Sequence, residues 1–85
     1  METSEAVHVM VEVMAPYIGD TMARSATEAH CQKLGIPTGS PISSEQLESL
    51  LGKLSGGLNI FLGRDKAAAV IADVRSALAA REGGR

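Results

Sequence analysis

The side chains in this 85-residue chain best suited to chemistry are two histidines and one cysteine. His30 and Cys31 are adjacent, the pair from which metal binding or thiol redox sensing would start. Neighbouring residues on a helix point about 100° apart. With Glu28 no better placed, the pair cannot hold one ion without ligands from elsewhere. The ordinary expectation is a buried small thiol beside a surface imidazole. His8 and Glu12 differ, because a spacing of four puts them on one helix face as a hydrogen-bonded pair or as half of a metal site. Two ligands hold no metal unless a partner chain supplies more, as a symmetric dimer would. No metal, catalytic or cofactor-binding residue is assigned from these positions.

"GGLNIFLGRDK", residues 56–66, invites comparison with a phosphate-binding loop, but its spacing is wrong and Arg64-Asp65 replaces the Lys-Ser/Thr that grips phosphate and magnesium. Gly63 is expected to free the chain to turn into a helix, with Asp65 favoured in the first turn by the helix dipole. Serine, histidine and acid cannot be brought together from sequence, and the carboxylates are scattered as surface charge. A non-enzymatic protein is expected.

The elements that must position these residues are set first by size. Eighty-five residues, read as one domain over 1–85, bury only roughly 60 to 65% of the unfolded surface, so stability is thin and self-association is favoured. One cysteine excludes an internal disulfide and leaves too few ligands for a zinc knuckle. Apolar residues make up 45% of the chain, with Tyr17 and Phe61 the only aromatics, so aliphatic and alanine packing must form the core. A net charge of −2 without a basic stripe argues against nucleic acid and against an anionic membrane surface. "METSEAVHV" carries acids where a secretory signal carries cations, and no apolar run approaches the roughly 20 residues of a membrane span. A cytoplasmic location is the resulting expectation.

Helix signals dominate the rest. Leu34, Gly35, Ile36 and Pro37 read as a Schellman end followed by a stop. Ser43 with Gln46 forms a capping box, and Ile42 with Leu47 a hydrophobic staple. Leu47, Leu50, Leu51 and Leu54 then share a stripe, and the helix is expected to stop at Gly56 and Gly57. A last helix over about 65–81 places Ala67, Val70, Ile71, Val74 and Leu78 on one face, with "EGGR" fraying beyond it. No internal repeat is evident.

The stretch "VHVMVEVMAPYIGD", residues 7–20, is ambiguous. Val7, Val9, Val11 and Val13 alternate like a strand, whereas Val7, Met10, Val11 and Met14 fit a helix. The helical reading gives an apolar sector of roughly 200°, about twice what one core contact needs. Two neighbouring helices of the same chain, or another chain, must cover it. Pro16 and Gly19 predict a helix to about Ala15, a bend, and a second helix to Leu34 whose apolar set is Met22, Ala26 and Ala29. The fold expected is all-α, a bundle of three to four helices broken near 16–19. The alternative is an α/β ligand-binding or regulatory domain with short strands at 7–13 and 58–62.

"APYIGDTMA", residues 15–23, resembles the "APYIGP-(I/M)-A" segment that opens helical tails of bacterial signalling proteins such as serine/threonine kinases and class III adenylate cyclases. The similarity extends over about residues 13–55, with Asp20 and Thr21 where those tails carry proline and an apolar residue. It implies a helical accessory module in bacterial signalling or regulation, and it brings no catalytic residue with it.

Together these features predict a protein-interaction or oligomerisation module needing no cofactor, its partner a protein and its simplest state a homodimer. The expected interface is Val7, Val9, Met10, Val13, Met14 and Tyr17. A nucleic-acid binder would require Arg24, Lys33, Lys53, Arg64, Lys66 and Arg75 to be gathered on one face.

Overall fold

In the computed structural model, which describes residues 1–83, four helices follow one another: α1 (Thr3–Ile18), α2 (Asp20–Leu34), α3 (Ser44–Leu62) and α4 (Arg64–Gly83). The all-α expectation holds, and residues 7–13 and 58–62 are helical rather than stranded. Among the described residues the only β-type pairing is a bridge between Glu2 and Pro41. Each helix packs on its chain neighbours and α4 closes onto α1, so the four form a ring around one core.

The capping signals work as their chemistry requires. The Ser43 hydroxyl accepts from the Gln46 N–H at 3.1 Å while the Ser43 N–H donates to the Gln46 side chain at 3.0 Å. Ile42 and Leu47 both pack against the core. At the end of α2 the Ile36 N–H donates to Cys31 and the Gly35 N–H to Gln32, the two bonds of a Schellman motif, and Gly35 is left-handed. The loop that follows is tied to the N-terminus, since buried Thr3 donates both its N–H (3.0 Å) and its hydroxyl (2.7 Å) to the Ser40 carbonyl.

The expected bend after Ala15 is displaced. α1 runs through Pro16 to Ile18, and the break falls at Gly19. Proline removes only the N–H that would bond the carbonyl of Glu12. Pro16 and Glu12 are both exposed, so water can serve that carbonyl. The stop expected at Gly56 and Gly57 is absent too, because α3 continues to Leu62. Leu54 and Leu58, one turn apart on either side of the glycines, are both buried, and their packing outweighs the propensity cost of about 1 kcal/mol per glycine. The last helix extends past 81 to Gly83, and the remainder of the expected fraying segment lies outside the described residues.

On α2 the buried residues are Ala23, Thr27 and Cys31, not the expected Met22, Ala26 and Ala29. Thr27 is polar, so apolar periodicity does not mark it as core. Its hydroxyl donates to the Ala23 carbonyl at 2.7 Å, which satisfies it inside the core. The stripes expected on α3 and α4 are correct, with Leu50, Leu51 and Leu54 on one and Ala67, Val70, Ile71, Val74 and Leu78 on the other.

A repeat invisible in the sequence organises the bundle. Gly19 joins α1 to α2 alone, with φ 90° and ψ 150°, and Gly63 joins α3 to α4 alone, with φ 85° and ψ 162°. Shifting the numbering by 44 carries Gly19 onto Gly63 and buried Ala6, Val7, Met10, Met14, Ala23 and Thr27 onto buried Leu50, Leu51, Leu54, Leu58, Ala67 and Ile71. The chain is therefore two helix–Gly–helix hairpins packed as equivalents, α1 on α4 as α3 on α2. Of these pairs only Gly19–Gly63 and Ala23–Ala67 are identical, so no sequence repeat is visible.

Candidate functional site

The ring decides the fate of α1. With α2 on one flank and α4 on the other, its wide apolar sector is covered by the chain's own helices, and Val7, Val9, Met10 and Met14 are buried. Val9, at 4% exposure, offers nothing to a partner on this structure. Of the expected interface set, Val13 is half-buried against the core and Tyr17 alone is substantially exposed, at 44%.

The apolar surface lies elsewhere. Where α2 and α3 meet, a groove enclosing about 50 Å³ is walled by Met22, Ala26 and His30 of α2 and Leu54, Leu58 and Phe61 of α3, with Met14 and Ile18 of α1 also lining it. Phe61 is 61% exposed and Met22 41%, and Ile60 next to Phe61 is 88% exposed. Monomeric proteins seldom leave several large apolar side chains together in water without a use for them. The sequence held the signal in "LNIFLG": as a helix, this segment carries more apolar residues than a single buried stripe accommodates. As a strand, the same segment shows no such excess, because alternate residues face opposite sides.

His30 stands at the Leu54 end of the groove. Its Nδ1 is buried and has no hydrogen-bond partner, a costly state for a polar atom. Burial, and then the charges of Lys33 and Lys53, hold its pKa below the ordinary imidazole value. Neither lysine is ion-paired to a carboxylate among the described residues. An apolar groove thus ends at two uncompensated ammonium groups.

The other candidates do not assemble into a site. Cys31 is buried in the core, and burial, with Glu28 second, pushes its thiol pKa up, so the reactive thiolate is disfavoured. His8 Nε2 lies 3.5 Å from Glu12 Oε2, with both side chains open to solvent. Among the described residues no three His, Cys, Asp or Glu side chains are grouped to hold a metal ion. The basic residues are dispersed. Arg75 on α4 makes a two-pronged pair with Glu48 on α3, at 2.7 and 2.9 Å, and Arg64 and Lys66 flank the α3–α4 turn. The hydrogen bonds from Arg75, and to a smaller degree its charge, hold the Glu48 pKa below the usual carboxylate range. No described helix is long and apolar enough to cross a membrane. No family model, curated protein or solved structure matches the chain.

Proposed function

We propose that this chain is a non-enzymatic protein–protein interaction module that docks through the face shared by α2 and α3. The observation that carries the reading is the exposure of Phe61 and Met22 on the lip of a groove that the bundle itself leaves open. Burying side chains of this size is the usual source of docking free energy, about 25 cal/mol per Å² of apolar surface removed from water. The resemblance of residues 15–23 to bacterial signalling tails supports an accessory, regulatory role. That segment lies at the turn between α1 and α2, with Tyr17 exposed.

The test is amine-reactive crosslinking in the producing cell, followed by mass spectrometry at Lys33 and Lys53. The wild-type chain should give protein adducts at these lysines. The double variant Ile60→Glu, Phe61→Glu should retain its helicity by circular dichroism and lose the adducts. An unchanged adduct pattern would remove the α2–α3 face as the docking surface.

A further inference from the structure

The two hairpins of the repeat pack as equivalents, yet the two interfaces they make are not filled alike. At the α1–α4 interface stand Val9, Val70, Val74 and Ala77, the first three of them buried. The 44-residue correspondence places Lys53, Ala26, His30 and Lys33 at the same positions of the α3–α2 interface. Valine gives way to alanine, and a void opens. Valine gives way to histidine, and an unpartnered nitrogen is buried beside it. At the two outer positions valine and alanine give way to lysine. Met22, on the lip of the groove, corresponds to Lys66, so the apolar and basic ends are exchanged between the two interfaces. One interface is sealed with aliphatic side chains. The other has an apolar half and a cationic end.

We infer that the α2–α3 groove is the docking site for an amphipathic helix of another protein, one whose apolar stripe ends in acidic residues that meet Lys33 and Lys53. The inference rests on the reading of this chain as an interaction module and names the partner's chemistry. Charge complementarity selects it. Among the described residues neither Lys33 nor Lys53 is ion-paired to a carboxylate, and a partner acid would supply one in a partly desolvated setting where the attraction is worth most. Size agrees as well, since the wall of α3 from Leu54 to Phe61 is about 10 Å long, room for two turns of helix with anchors at i, i+4 and i+7. α3 also presents a low surface beside the groove. A β-carbon added at Gly57, which lines the groove, would meet nothing within 4 Å, so this glycine relieves no crowding inside the chain. It leaves space against which a second helix can lie closely. A second copy of the chain fits less well, because two such faces would each bring lysines and no acid.

The experiment uses fluorescein-labelled helical peptides of about 16 residues, the length at which an isolated helix begins to hold. Each has leucines at i, i+4 and i+7 and four glutamates at one end, in both end-to-end orders, with lysine-for-glutamate counterparts. Fluorescence anisotropy with the wild-type chain at low salt should show one glutamate peptide binding at least ten-fold more tightly than its lysine counterpart. The double variant Lys33→Glu, Lys53→Glu should reverse that preference, and Ala26→Leu, which fills the groove, should weaken both peptides. Circular dichroism of each variant establishes that the bundle is intact. Equal binding of both peptide charges, or a preference untouched by the charge reversal, overturns the inference. A wild-type chain that sediments as a dimer and admits no peptide overturns it in favour of a second copy. Crosslinks lost in the Ile60→Glu, Phe61→Glu variant, alongside failure of every peptide, would leave the interaction module standing and refute only the acidic partner.

Discussion

The glycines of this chain should respond to alanine with opposite signs, according to backbone conformation. Gly19 and Gly63, at φ 90° and 85° with ψ 150° and 162°, occupy a region that is essentially closed to residues with a β-carbon. Space is not the obstacle, because a β-carbon at either position would meet nothing within 4 Å. The cost is entirely local backbone strain, about 1–3 kcal/mol for each of Gly19→Ala and Gly63→Ala. Gly52 and Gly56 are the reverse case. They lie in the interior of α3, exposed, with open space around the absent β-carbon. Alanine there removes the entropic cost of glycine in a helix, a gain of about 0.5–1 kcal/mol each. In a domain of this size 1 kcal/mol moves the melting temperature by roughly 4–8 °C. Thermal melts followed at 222 nm should therefore separate the two pairs by about 6 to 30 °C, and urea titrations at constant m-value should give the same order. Two outcomes would refute the reasoning. Loss of stability in Gly56→Ala would mean that α3 is not continuous through Gly56 and Gly57. Neutral behaviour of Gly19→Ala would mean that the single-residue turn does not have the backbone geometry described.

Three further outcomes are expected. His30, whose imidazole is held below its ordinary pKa by burial and by Lys33 and Lys53, should titrate in proton NMR below the value of 6.5 typical of a free histidine. Because the unfolded chain then binds the proton first, its contribution to stability is complete above 6.5 and is lost as the pH falls from there toward the folded value. Glu48, with its pKa depressed by Arg75, contributes in the opposite range: its share is present above 4.5 and lost as the pH falls through the folded value, and Glu48→Gln should abolish that acid-limb dependence. Cys31 should react with a thiol reagent only at the rate at which the bundle opens, so labelling should accelerate with urea, whereas fast labelling in native buffer would contradict its burial.

Local chemistry fixed several features before any packing was known. The capping box at Ser43 and Gln46, the Schellman end at Gly35 and Ile36 and the core stripes of α3 and α4 depend on contacts within a few residues. Such contacts are encoded in adjacent positions, so the sequence alone specifies them. The helix or strand ambiguity of residues 7–13 was also answerable from the polar face and the apolar excess.

Packing decided the remainder. Whether proline or glycine ends a helix depends on its surroundings: α3 passes Gly56 and Gly57 because Leu54 and Leu58 are buried on either side, and α1 passes Pro16 because the carbonyl left unbonded is open to water. The width of the α1 stripe announced that two surfaces would cover it, but only the closed ring shows that both belong to the same chain. Val9 and Val13, which looked like surface for a partner, became core or its edge, and the apolar surface left in water belongs to Met22, Ile60 and Phe61, contributed by different helices. Lys53 likewise becomes a neighbour of His30 and Lys33 only when α2 and α3 pack. Residues some 20 positions apart share a site through helix pairing, and that pairing is a property of the whole bundle. The sequence by itself determined the helices and most of their inner faces, through short-range hydrogen bonding and periodicity. Tertiary structure alone decided which apolar surface remained uncovered, because that is set by the difference between two interfaces and cannot be read from either hairpin of the repeat taken singly.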